Sequence, residues 1–175
     1  MSFLLIANIF SFFSACFTVA SSCTKDPHRT YWYQVGQCFF YAIAAYFFGV
    51  YSTIVMMLIN ALRNGLVAAQ KYTTRWMVIC SLFSLVVGLL INGSSIPGYL
   101  SVFMTVYYTV SSFYLTGAKA VKINVAIDLF MWFIYDLMVF DVPSGTVDFV
   151  SVVLALVTLF RIRRDEVRSK AAQKI

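Results

Sequence analysis

The stretch VGQCFFYAIAAYFFGVYSTIVMMLINALRNGLVAAQ, residues 35–70, decides how this chain is built. It is apolar nearly throughout, and as one helix its 36 residues would run about 54 Å, against a hydrocarbon core of about 30 Å. An unbroken span would also carry Lys71 and Arg75 to the wrong side of the membrane. Two helices, near 35–50 and 53–70, joined by a tight turn at Tyr51–Ser52, resolve both problems. Reading outward, apolar runs between polar breaks place further helices near 2–22, 76–92, 97–115, 121–140 and 146–162. The expectation is an all-α membrane protein of seven short transmembrane helices, with one membrane domain over 1–162 and a basic cytoplasmic tail over 163–175.

Composition agrees. Hydrophobic residues make up 61% of the 175 and charged residues only 11%, where a soluble domain carries roughly a quarter charged. A water-soluble fold is excluded. The net charge of +6 does not point to nucleic acid, because the basic residues gather in short clusters between apolar runs and in the last fifteen residues. Membrane lipids are the expected surroundings. Cys16, Cys23, Cys38 and Cys80 have no CxxC spacing and are expected as buried free thiols, and His28 stands alone in a polar loop, so no metal or other cofactor is expected. Ala20-Ser21-Ser22-Cys23 faintly resembles a lipoprotein cleavage box, but no Lys or Arg precedes the apolar run, and an uncleaved first span is expected.

Orientation follows from Lys and Arg in short loops, which stay cytoplasmic. Lys25 and Arg29, Lys71 and Arg75, Lys119 and Lys122, and the tail from Arg161 to Lys174 fall on alternate breaks. The opposite turns, at Tyr51–Ser52, Asn92–Ser95 and Asp141–Gly145, hold none. Twelve of thirteen basic residues thus place the amino terminus outside and the carboxyl terminus in the cytoplasm, Arg63 being inside a helix. Tyr31, Trp32, Tyr33 and Trp76 read as interfacial anchors on that cytoplasmic side.

The seven spans divide as three, one and three. Each triplet has a hydroxyl-rich helix, a basic loop, an aromatic helix (Tyr46-Phe47-Phe48 or Trp132-Phe133-Ile134), a short turn and a returning helix. An odd number per repeat needs a fourth helix to bring the chain back, leaving two parallel three-helix bundles joined by a linker, a known transporter plan.

Ionisable residues inside a span cost about 2.5–3.5 kcal/mol at a helix centre on insertion scales, so each needs a partner, a cavity or a task. Arg63 and Asp128 each stand seven residues from a cytoplasmic helix end, about 10 Å deep, so that they can form an ion pair or jointly hold a polar ligand; the alternative is that Arg63 snorkels to the cytoplasmic surface and Asp128 pairs elsewhere. Asn60, Arg63 and Asn64 share one face of the third helix; Asn124, Asp128, Trp132 and Tyr135 share one face of the sixth, with Asp136 at its border. Hydrogen-bonding groups beside an aromatic plate suit a small polar solute. Two hydroxyl stripes, Asn8, Ser11 and Thr18 in one helix and Ser101, Thr105, Tyr108 and Ser112 in another, fit either a hydrophilic route or helix-to-helix contact. Pro97-Gly98 is expected to start the fifth helix and Pro143-Ser144-Gly145 to turn the chain before the seventh.

Tyr46-Phe47-Phe48-Gly49, the following turn, Asn60-Ala61-Leu62-Arg63, Trp132 and Arg161 resemble the YgjV family of bacterial inner-membrane proteins over nearly the whole chain. That resemblance implies a distant relation to the SWEET sugar transporters and the nicotinamide riboside transporters, with two three-helix bundles about a central site. It implies facilitated movement of a small polar solute, with Asn60, Arg63 and Trp132 as carried-over site residues. The Pro-Gln pair of some relatives is absent from the first helix, so their gating does not carry over.

The functional expectation is therefore an inner-membrane carrier of a small polar solute of sugar, nucleoside or vitamin type, working by alternating access between two bundles. The alternative is a membrane scaffold or accessory subunit. No Walker, HExxH or GxSxG motif is present, so an enzyme is not expected. A chain this small leaves room for a homodimer.

Overall fold

The computed structural model describes residues 3–48, 51–91, 96–138 and 142–172. Over these the chain forms seven α-helices, α1 (Phe3–Cys23), α2 (Pro27–Phe48), α3 (Tyr51–Ala68), α4 (Thr74–Ile91), α5 (Ile96–Tyr114), α6 (Ala118–Met138) and α7 (Val142–Ala172). The division of residues 35–70 into two helices holds. Tyr51 and Ser52, expected as the turn, instead open α3, and residues 49–50 and 139–140, expected to end the second and sixth helices, lie outside the described residues together with 92–95 and 141, where opposite-side turns were expected.

Leu5–Cys23, Thr74–Ile91 and Ser144–Glu166 are each long and apolar enough to cross a membrane unaided. The other helices carry more polar groups, and packing turns those groups inward. Asn60, Asn64 and Arg63 of α3, Thr105 and Thr109 of α5 and Asn124 of α6 are all buried, while Phe39 and Tyr46 of α2, Phe103 of α5 and Ile127 and Phe130 of α6 face outward. A polar interior wrapped in large apolar side chains is stable only where the surroundings are hydrocarbon, because water would reward the reverse.

Helix boundaries depart furthest from the sequence expectation at three places, each for a local reason. The second helix starts at Pro27, not near 35, because Asp26 caps it: its Oδ1 accepts the His28 backbone N–H at 2.9 Å, and Pro27 occupies the first helical position. Pro143 lies within the first turn of α7 and does not precede the helix, a position where its missing N–H costs nothing. At the other end α7 continues ten residues past the expected 162, and its 31 residues run about 46 Å, longer than a bilayer core. Asp165 pairs there with Lys25, and Glu166 with Lys119, so the extension of α7 ties down both neighbouring basic loops.

The packing order is a ring. Among the described residues α2 lies between α1 and α3, and α6 between α5 and α7; α1 meets α7, α3 meets α5, and α2 faces α6 across the middle. Exchanging α1, α2, α3 for α5, α6, α7 maps these contacts onto one another, which is the arrangement of two parallel triplets about an axis along the bundle. Among the described residues helix α4 touches only α3 and α5 and stands outside the ring as the linker. It packs through the narrow small-residue stripe Cys80, Ser84 and Gly88.

The symmetry is broken at one seam. Lys122, expected in a basic loop, is fully buried on α6 and donates to the Ser21 carbonyl of α1. The last carbonyls of a helix lack intrahelical partners, so an ammonium there serves as a cap across the two triplets. Tyr31, expected as an interfacial anchor, is buried in the ring beside Tyr108 and Leu129, whereas Trp32 faces outward. Cys38 and Cys80 are buried as expected, but Cys16 and Cys23 are exposed on the outer surface.

Candidate functional site

A cavity of about 290 Å³ occupies the middle of the ring, at the lower edge of the roughly 300–1,000 Å³ typical of ligand pockets. All six ring helices line it and α4 does not. The first hydroxyl stripe faces it through Asn8, Ser11 and Thr18, joined by Ser14 and Ser21; α2 adds Gln34, Gln37 and Cys38.

Arg63 is the most buried charge in this wall, with only 3% of its surface exposed. Its Nε and Nη2 both donate to Asn64 Oδ1, at 3.1 and 2.9 Å, and Nη1 donates to Asn60 Oδ1 at 3.0 Å and to Thr109 Oγ1 at 3.2 Å. These bonds use four of the five guanidinium protons. Its carbon stands 4.5 Å from the centre of the Tyr108 ring, a cation–π distance. Every one of these partners is neutral. The helical spacing explains the arrangement, since positions 60, 63 and 64 share one face and Asn60 and Asn64 clamp the guanidinium between them.

Asp128 lines the same cavity but forms no ion pair with Arg63, and among the described residues its carboxylate makes no hydrogen bond. The equal-depth expectation fails on helix ends. Arg63 is five residues before the end of α3, about 7 Å, while Asp128 is ten residues into α6, about 15 Å. The two opposite charges therefore share a chamber without touching.

Five of the seven expected site residues meet here: Asn60, Arg63, Asn64, Asp128 and Trp132. Asn124 is buried at the seam with α5, where its Oδ1 accepts Ser111 Oγ at 2.7 Å. Tyr135 stands edge-on to Trp132, with ring centres 5.4 Å apart and planes at 73°, supporting the plate from behind. At about 100° per residue, Asn124 and Tyr135 lie roughly 40° and 20° to one side of Asp128, while Trp132, Asp136 and Leu129 lie about 40°, 80° and 100° to the other. The cavity takes that second side. Asp136 is thus a wall residue and not a border one, and α7 contributes Ser144 and Asp148, which the sequence reading placed in a turn or passed over.

Towards the basic loops the chamber ends at a plug. Tyr108 and Leu129 line the cavity and pack with Tyr31, Val121 and Val125 in one buried cluster. Gln34 Nε2 donates to the Tyr108 hydroxyl at 2.8 Å, pinning α2 to α5 across the ring. Beyond the plug a second pocket of about 480 Å³ opens among Asp26, His28, Tyr31, Tyr72 and Ser112. Tyr108 meets the first space and Tyr31 the second, so a few side chains part them. The buried hydroxyls of Tyr31 and Ser112 belong to residues that both line this pocket.

Among the described residues no His, Cys, Asp and Glu cluster has metal-site geometry. A family model described as bacterial inner membrane protein, Imp-YgjV, matches residues 5–166. No curated protein and no solved structure matches the chain.

Proposed function

The chain belongs to the Imp-YgjV family of bacterial inner membrane proteins, and on that premise we propose that it carries a small polar solute across the inner membrane. The observation that carries this reading is the polar chamber inside a ring of two triplets, with Arg63 buried in its wall against neutral partners alone. A purely structural arginine would be expected to meet a carboxylate or reach the headgroups. In this proposal the two triplets rock about the chamber, and the plug of Tyr31, Tyr108 and Leu129 separates it from the pocket at the basic end. The orientation proposed places that end, with its Lys and Arg, in the cytoplasm. The chain acts without catalysis.

Uptake by proteoliposomes holding the purified protein, offered labelled amino acids, nucleosides, vitamins and sugars, tests the proposal. Saturable entry of one class, lost in Asn60→Ala protein that still elutes as a folded species, is the expected result. A folded protein that moves none of them is a scaffold.

A further inference from the structure

The charges of the chamber allow the solute class to be narrowed, an inference that rests on the carrier reading above. The geometry points to a small zwitterion, an amino-acid-like solute whose carboxylate faces Arg63 and whose ammonium faces Asp128.

Arg63 offers one remaining Nη2 proton, and its charge is balanced only by amide and hydroxyl dipoles and a ring face. Such a group favours an anion, and a carboxylate accepts from a guanidinium in the strong charge-assisted geometry of about 2.7–2.9 Å. Asp128 meets the same space with no hydrogen-bond or ion-pair partner among the described residues. Its offset from Arg63, about one and a half helical turns along the bundle, matches a compact molecule making one contact at each end.

Other classes each leave a charge unanswered. A simple anion would meet Arg63 and face Asp128, with Asp136 and Asp148 further along the wall. A simple cation would satisfy Asp128 and strip water from Arg63. A neutral sugar hydrogen-bonds throughout but compensates neither charge, and inside a membrane protein an uncompensated charge is the costlier defect. Trp132 offers its ring to a flat or apolar side group.

The test is equilibrium binding to the purified, unmodified protein in detergent, read by calorimetry with L-phenylalanine, phenethylamine, 3-phenylpropionate and 3-phenylpropanamide. These share a side group and differ in charge. Binding of L-phenylalanine at least about thirtyfold tighter than each of the other three is expected, the lower end of what truncating one partner of a buried charge pair costs. Asp128→Asn should narrow the gap between L-phenylalanine and 3-phenylpropionate, and Arg63→Gln the gap to phenethylamine. Equal affinity across the four, or no binding of L-phenylalanine and of glycine, serine and leucine tested alongside, overturns the zwitterion assignment. Because the readout is binding, transport of a sugar in the liposome assay would retain the carrier and sink this inference, while zwitterion binding without transport would do the opposite.

Discussion

Replacing Gly88 with alanine probes the linker helix, whose attachment keeps the two triplets parallel. A Cβ built at Gly88 would stand 2.5 Å from Val102 Cγ2, with Val102 Cγ1 at 3.3 Å and Met56 Cε at 3.2 Å. Ordinary carbon contacts are about 3.5–4.0 Å, so the first of these is short by about 1 Å. Met56 Cε is the end of a flexible chain and gives way. Val102 does not, because it is β-branched, held to one rotamer on a helix, and only 3% exposed. Overpacking of this kind costs about 1–3 kcal/mol, while the better helix propensity of alanine returns up to about 1 kcal/mol. Gly88→Ala should therefore lower stability by about 1–2 kcal/mol. With Val102→Ala already in place the clash is gone, and the same substitution should be neutral or stabilising, giving a coupling of about 2 kcal/mol in the double-mutant cycle. Unfolding in mixed micelles with rising SDS, followed by helical circular dichroism, measures all four proteins. If the Gly88→Ala effect is the same with and without the Val102 side chain, the close approach of α4 to α5 is wrong.

Other consequences follow from single side chains. Arg63→Met should destabilise by about 3 kcal/mol in the same assay, because it strands the buried acceptors of Asn60, Asn64 and Thr109; a loss under 1 kcal/mol would mean the guanidinium does not hold them. Lys122→Met should leave the helical content unchanged but speed hydrogen exchange across residues 19–23, since the end of α1 loses its cap; unaltered exchange there would contradict the Lys122–Ser21 tie. Gln70 closes α3 with φ near 56°, the Lys71 N–H reaching the Leu66 carbonyl and the Gln70 N–H that of Val67. This cap favours glycine, so Gln70→Gly should raise stability by about 1 kcal/mol, and a decrease would show that the side chain has another task.

The ring was legible in the sequence where physics is local. Helix length against bilayer thickness split residues 35–70, and the charge pattern of the loops gave the count. The Asp26-Pro27 start signal was equally local, and was hidden only because Lys25, Asp26, His28 and Arg29 made the segment resemble a loop. What lay beyond reach was phase and depth. Periodicity placed Asp128 and Trp132 on one face correctly but could not say which edge of that face looks inward, so Asn124 and Tyr135 were included while Asp136 was set at the margin. Lys122 has the composition of a rim residue; only the close passage of α1 makes it a cap. Ser144 and Asp148 are spaced i, i+4 at the start of an apolar helix, a signal that was missed because Ser144 resembled part of a turn and Asp148 stood alone in the apolar run behind it.

The central claim is that water and solute, not packed side chains, fill the space between the triplets, and one helix can test it. On α1, Ser11 lines the chamber and Cys16 faces outward. In protein with the other native cysteines changed to alanine, a single thiol at position 11 (Ser11→Cys with Cys16→Ala) is compared with the thiol of Cys16 for reaction with a charged, membrane-impermeant methanethiosulfonate in liposomes. Rapid labelling at position 11 and little at position 16 is the expected result, because the reactive thiolate forms only where water reaches it. Equal rates at the two positions, or an inert position 11, would contradict the claim.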